Sequence, residues 1–497
     1  MKQEQRIDLT KYVSNLDKNV YTIFNLPEEV IAVIFAYVSR SSASFRENLE
    51  KLLSDEELQV TRNASGMARG SSEKAARFHE KWVVSYGHSS VAEHAVAHIG
   101  IEKISRLASA ELELANSFNS FTEYSQRYQR PKRGEFYLPP ELNRHRELKQ
   151  KFLALQERAF DTYDQLMHDL NNHLIETIPR KQNESDRAYR LRVEKIAFED
   201  ARYVLTLATL TSLGMTGNGR ALRDTLIQLL SSPYDECRQL AKAMEQEISQ
   251  VIPTLLKYVK PSDYLLTTKK QLENTLSPEP APSSRPVEGP VARMTKMPPY
   301  EEALLELATR LIISETCLSY AEARQQALSC STRQLEEMAE AALCNLNFFD
   351  NPRGEFHHLH YQFEFMISEA NWHQLLRHNR RTHFSYGLPT IRFGYTIPPH
   401  IREAGLEPVY REFLQEAENI YRELSAFDPL IAPYAVTNAH HRQVVATASL
   451  WELYHLINLR TSPEAQWDIR QAFMSLLEEL KVHHPVFAKY AQRRLAN

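Results

Sequence analysis

Residues 354–368 read GEFHHLHYQFEFMIS. In the run HLHYQFEF bulky and polar side chains alternate with period two, which predicts a strand with one buried face. A segment of comparable character, VAEHAVAHIGIEKIS, stands at 91–105. Upstream of each lies a stretch with apolar residues at helical spacing, opened by paired glutamates: PEEVIAVIFAYVSRS at 27–41 and YEEALLELATRLIIS at 300–314. Long amphipathic helices are expected downstream, from about 141 to 175 and 407 to 424, and each half closes on a helix pair near 221–258 and 450–490. One order of elements met twice predicts an internal duplication in a helix-rich α+β chain.

Between the halves stand Pro278, Pro280, Pro282, Pro286, Pro290, Pro298 and Pro299, with hardly an apolar run among them. That density forbids continuous helix and favours a semi-rigid extended spacer. The expected organisation is therefore a first domain over 1–275, a linker over 276–299 and a second domain over 300–497. The 497 residues are ample for two cores. A net charge of -4 argues against a surface built to hold nucleic acid, while leaving room for a local basic pocket. The four cysteines are dispersed without a C-x-x-C pair, so neither a disulfide framework nor a cysteine zinc site is expected. The opening MKQEQRIDLTKYV lacks a signal-peptide core, and no run is long and apolar enough for a membrane span. A cytoplasmic protein is the expectation. No Gly-rich dinucleotide fingerprint is present.

AHIGIEKISRLASAEL followed by SFNSFTEYSQRY (117–128), with GHSSVAEH (87–94) before it, resembles the flavin-dependent thymidylate synthases. WHQLLRHNRRTHFS (372–385) is similar to that family's Arg-His-Arg region. GNGRALRDTLIQLL (217–230) and LINLRTSPEAQWDIR (456–470) are similar to its last helix pair. The resemblance covers most of both halves and implies two tandem copies of the family's fold, helix-rich with a small antiparallel sheet. Each copy departs from the signature differently. In the first, Ala115-Asn116-Ser117 stands at the Arg-His-Arg place, while Glu123, Ser125, Arg127 and Tyr128 preserve the distal part. Arg202, Asn218 and Arg220 are kept, and Leu229 replaces a late arginine. The second keeps Arg377-His378 followed by Asn379, has Ser385, Gly387 and Pro389 where Glu, Ser and Arg belong, and carries Pro433, Ser449 and Trp451 further on. It keeps Arg460 and Gln466.

These losses complement one another. In the family, residues from different copies meet around one nucleotide, so the resemblance implies one rebuilt pocket in which Glu123, Ser125, Arg127 and Arg202 face Gln374, Arg377 and Arg460. Arg377 and Arg127 are its expected catalytic residues, and the opposite pairing is expected to be dead. A nucleotide monophosphate carries close to two negative charges, which arginine matches with paired donors. The implied reaction is reductive methylation of deoxyuridine monophosphate (dUMP) to dTMP, with methylenetetrahydrofolate as one-carbon donor, FAD as cofactor and NADPH as reductant. His88, Ser90, Asn218, Arg220, Arg377 and His378 are the implied FAD-binding residues. A homodimer, equivalent to the family's tetramer, is the implied assembly.

Plainer readings stand beside these. Arg377, Arg380 and Arg381 with their neighbouring histidines also fit a solvated basic helix end. Ser125 to Tyr128 fits a capped turn, and Arg202 and Arg220 fit ion pairs with Glu199 or Asp224. Glu93, His94 and His98 lack a convincing further ligand, and His357, His358 and His360 alternate in direction, so no metal is expected. The alternative functions are a diverged flavoenzyme acting on another pyrimidine nucleotide, and a non-catalytic nucleotide-binding scaffold.

Overall fold

The computed structural model describes residues 8–38, 43–54, 89–276 and 291–494. Most of the proline-rich stretch, and His88, lie outside them. Seven strands are described: β1 (Val96–Ser105), β2 (Ser120–Glu123), β3 (Leu210–Asn218), β4 (Val291–Lys296), β5 (His360–Ser368), β6 (Thr382–Tyr386) and β7 (His441–Ser449). The duplication is visible in their settings. A 3-10 turn, a strand and a helix follow one another at Ser89–His94, β1 and Arg106–Ala115, and again at Gly354–His358, β5 and Glu369–Leu375. Strands β3 and β7 each run directly into a helix, Gly219–Leu230 and Leu450–Arg460.

The chain forms two compact units, and each draws on separate stretches of sequence. Among the described residues, the first comprises 8–38, 43–54, 89–104, 108–124 and 211–276. Its sheet has the order β1-β3-β2. The carboxylate of Glu29, fully buried on helix Glu28–Val38, accepts from the backbone N–H of Thr254 at 2.8 Å and so ties that helix to the turn that follows helix Asp235–Ile248.

The second unit comprises, among the described residues, 105–107, 125–210 and 291–494. Its sheet has the antiparallel order β4-β5-β7-β6. The period-two expectation holds from His360 onward: Tyr361, Phe363, Phe365 and Ile367 are buried, and Phe365 meets Phe473 of helix Trp467–His483 with ring centroids 5.8 Å apart. Each such ring stabilises the fold by about 1.5–3 kcal/mol. The long first-half helix is Arg146–Thr177, shorter at its start than expected because His145 (φ -136°, ψ 86°) breaks from helical geometry and its Nδ1 accepts from Leu148 N. Leu148, Phe152, Leu155, Ala159, Tyr163, Leu166, Leu170 and Leu174 form its buried stripe, at three- and four-residue steps. That helix lies along Glu407–Phe427 of the second half, with Lys151 to Glu423 at 2.8 Å and Arg158 to Glu412 at 3.5 Å on the rim.

Beside this helix pair the two copies meet in an isologous contact. Thr206 and Thr437 form an antiparallel bridge, Leu207 N donates to Val436 O at 2.8 Å, and Asn438 N donates to Leu205 O at 2.9 Å. These residues match each other in the alignment that sets Arg202 against Pro433 and Asn218 against Ser449. Equivalent donors and acceptors exchange, which is the signature of a local two-fold relation.

Candidate functional site

The two-fold contact carries 3-10 turn Arg202–Val204 up against the second half, and an excess of buried positive charge collects there within the second unit. The Arg202 guanidinium is 4% exposed, and its Nε and Nη2 are buried without a hydrogen-bond partner. Burial lowers its pKa to about 10, and Arg127 and Arg106 push in the same direction. Arg127 stands on a turn closed by Tyr128 N to Ser125 O at 3.1 Å, with Ser125 Oγ accepting from Arg127 N at 3.3 Å. Its Nε and Nη2 donate to Glu199 Oε1 at 2.8 and 2.5 Å, and Nη2 also reaches Glu464 O at 3.2 Å. The capped-turn reading of Ser125–Tyr128 therefore describes the backbone. Glu199 pairs with Arg127, and Arg202 is the guanidinium left with orphaned donors.

From the second half, Arg460 ends helix Leu450–Arg460 and donates through Nη2 to Gln374 O at 2.8 Å and through Nε to His378 Nε2 at 3.0 Å. Burial lowers its pKa to about 9, with Arg377 and then Arg127 adding to the shift. Arg377 itself is exposed. Of the arginines expected from sequence to act together, Arg127 acts electrostatically on both Arg202 and Arg460, and Arg377 acts on Arg460, all inside one unit. Gln374 joins them: its Nε2 donates to Gln466 Oε1 at 2.7 Å, while its Oε1 is buried with no partner. Each unpaired buried donor of Arg202 and the unpaired buried acceptor of Gln374 carries a desolvation cost. They suit a ligand that is anionic and also carries a donor.

Sequence reasoning passed over Arg106, although it stands inside a quoted motif. It also passed over the buried Tyr203 and Asp468, whose partners lie far off in the chain. Tyr203 stacks on Trp467 (centroids 5.7 Å, planes 18° apart) and donates to Asp468 Oδ2 at 2.7 Å. Nearby, the fully buried Asp200 accepts from His400 Nδ1 and Trp467 Nε1, both at 2.7 Å. Burial raises the Asp200 carboxyl, and the hydrogen bond to that carboxylate raises the His400 imidazole.

His378, Glu452 and His455 bring three ligand-type atoms within 4.8 Å of one another. Arg460 can only donate, so His378 Nε2 must accept, and a neutral ring then carries its proton on Nδ1. Burial, Arg460, His455 and Arg377 hold His378 well below the usual imidazole pKa, in keeping with a neutral ring. Protonated Nδ1, 3.8 Å from Glu452 Oε1, offers no lone pair to a cation.

The remaining expected residues belong to the first unit. Glu123, on β2, is buried and accepts from Ser109 Oγ at 2.7 Å. Ser90 is exposed on its 3-10 turn. Asn218 Oδ1 accepts from Ala221 N at 2.9 Å as a helix cap. Arg220 is half-exposed and pairs with Glu93 at 2.6 Å, rather than with Asp224, which is bound to Arg223. His98 Nδ1 lies 2.9 Å from Thr216 Oγ1, and His94 packs on Phe35.

The sequence profile of the thymidylate synthase complementing protein family matches residues 23–254 and 294–486. A UPF0159 protein of Chlamydia muridarum is 26% identical over 504 residues, covering 98% of this chain and 94% of that protein. The flavin-dependent thymidylate synthase of Clostridium tetani is 30% identical over 197 residues, covering 39% of this chain and 75% of its own length. Among solved structures, the UMP/dUMP methylase PolB from Streptomyces cacaoi, bound with 5-Br dUMP, aligns with 42% of this chain and 99% of its own at 12% identity and a TM-score of 0.33.

Proposed function

Because the chain belongs to the thymidylate synthase complementing protein family, as a tandem duplication, we propose that it is a flavin-dependent enzyme that methylates dUMP reductively to dTMP, with methylenetetrahydrofolate as carbon donor and NADPH as reductant. The observation that carries this reading is the Arg202 guanidinium, buried with Nε and Nη2 orphaned beside Arg127, which acts in turn on Arg460 of the other copy. A phosphate monoester supplies the charge and acceptor oxygens these donors lack. Arg127 and Arg377 act on the nucleotide as the catalytic pair, Arg202 and Arg460 hold its phosphate, and Gln374 and Ser125 orient it. Glu123 keeps the substrate-binding role that the resemblance implies.

FAD, when bound, supplies the hydride. The donor chemistry of the chain fits such a group in part. Exposed Arg377 suits an anionic diphosphate, whereas His378 Nε2 is already taken by Arg460. Ser90 and Arg220 keep their implied role, and the side-chain oxygen of Asn218 is engaged as a helix cap. Arg202 is itself buried, and low local dielectric strengthens a charge-assisted bond made there. The assembly is proposed to be a homodimer acting in the cytoplasm; no described helix is long and apolar enough to cross a membrane.

Release of tritium from dUMP labelled at C5, in the presence of FAD, NADPH and methylenetetrahydrofolate, tests the reading. Release and dTMP formation are expected. Tight dUMP binding without release refutes thymidylate synthesis and points to another pyrimidine chemistry. A protein that purifies without flavin absorbance and binds no nucleotide refutes the enzyme altogether.

A further inference from the structure

A chain of hydrogen bonds in the second unit ends on the orphaned oxygen of Gln374. It begins at Asp468, fully buried in the first turn of helix Trp467–His483. The Asp468 carboxylate takes three donors: Ser368 Oγ, Asn371 Nδ2 at 3.0 Å and Tyr203 Oη at 2.7 Å. The Tyr203 proton is therefore committed to Asp468, and its oxygen can only accept on the other side. Gln466 answers with Nε2, donating to Tyr203 Oη at 2.9 Å. That orientation turns Gln466 Oε1 toward Gln374 Nε2, which donates at 2.7 Å. The same Gln374 Nε2 also donates to Ala370 O at 3.2 Å. A flipped Gln374 would set its oxygen against two acceptors, Gln466 Oε1 and Ala370 O. Its amide polarity is thus set by Ala370 O together with Gln466 Oε1, and the orientation of Gln466 traces to a carboxylate three links from Gln374.

We infer that Asp468, acting through Tyr203 and Gln466, fixes Gln374 with its amide oxygen as the acceptor for an N–H or O–H donor on the bound nucleotide. Gln374 is then the specificity-determining contact, and Tyr203, Gln466 and Asp468 are positioning residues. The inference rests on the reading of this cluster as a pyrimidine-nucleotide site. A uridine nucleotide offers two such donors, N3–H of the base and the 3′-hydroxyl of the sugar. A site that accepts from a ligand donor discriminates against analogues without it, because its own acceptor is then left buried and unpaired.

The test uses the full chain and calorimetric binding of dUMP, N3-methyl-dUMP and 2′,3′-dideoxyuridine monophosphate. In the native protein one of the two analogues is expected to bind about 10–100-fold more weakly than dUMP, which identifies the donor. Tyr203→Phe keeps the ring stacked on Trp467 and removes the hydroxyl. It is expected to bring dUMP down toward the weaker analogue and to shrink the discrimination to within about threefold. Adding Gln466→Glu to Tyr203→Phe places an acceptor-only group against Gln374 Nε2 and is expected to restore discrimination, a rescue that a purely structural role would not give. Gln466→Leu breaks the next link and is expected to repeat the Tyr203→Phe result, should that variant fold poorly. Equal binding of all three ligands by the native protein overturns the inference, as does unchanged discrimination in both chain-breaking variants. A native protein that binds no dUMP overturns the nucleotide reading and the ligand assigned to Gln374. The side-chain amide resonances of glutamine-labelled protein, recorded without ligand, then decide the chain alone: they shift in Tyr203→Phe if it exists, and stay in place if it does not.

Discussion

Replacing Arg202 by methionine should move stability and binding in opposite directions. In the ligand-free protein this guanidinium is 4% exposed, its Nε and Nη2 are unpaired, and Arg127 and Arg106 repel it. An orphaned buried polar group costs about 1–3 kcal/mol, and an apolar side chain of similar length fills the space without that penalty. Arg202→Met is therefore expected to raise the unfolding free energy of the ligand-free chain by about 1–3 kcal/mol, read from urea titrations at constant slope. With nucleotide present the sign reverses. A charge-assisted hydrogen bond contributes about 1.5–3 kcal/mol, so the affinity for dUMP should fall by about 10–100-fold, measured calorimetrically. The combination separates a ligand-binding arginine from a structural one. A variant that loses several kcal/mol of ligand-free stability while binding dUMP as before would show that Arg202 supports the fold, and the argument from its orphaned donors would fall.

Arg377→Ala and Arg127→Ala, altered in different halves of the chain, should each weaken dUMP binding by at least about tenfold; native affinity in either removes that residue from the site. Glu452 supplies a pH test. Burial raises its carboxyl to about 7, against the pull of Arg381, so the folded protein holds this proton more tightly than the unfolded chain. The associated stability is present in full below about pH 4.5 and drains away as pH rises toward 7, by about 3 kcal/mol. Glu452→Gln should match the native chain near pH 4.5, exceed it at pH 8, and lose the slope between; parallel melting curves across that range would contradict the burial argument. Phe365→Ala, which empties a place 1% exposed between Phe363 and Phe473, should cost about 3–5 kcal/mol in denaturant unfolding.

Local chemistry made much of this protein legible in its sequence. Alternation in HYQFEFMI sets the buried face of β5, since successive side chains on a strand point to opposite faces. Spacing by three and four sets the stripe of helix Arg146–Thr177. The motif remnants named Arg127, Arg202, Gln374, Arg377 and Arg460, and their complementary losses pointed to joint use. What those residues do to one another was not legible, because it depends on partners hundreds of positions away and on which groups are left without one. Glu199 pairs with Arg127 and not with Arg202, although the glutamate lies much nearer to Arg202 in the chain. The bridge between Thr206 and Thr437 exists because the two copies meet as equivalents in space, and the units formed do not follow chain order. The proton position on His378 follows from an arginine that can only donate, and the polarity of Gln374 from Ala370 O and from Gln466, whose orientation traces to the distant carboxylate of Asp468. Periodicity is a property of neighbours along the chain, whereas donors, acceptors and buried charge are balanced only among neighbours in space.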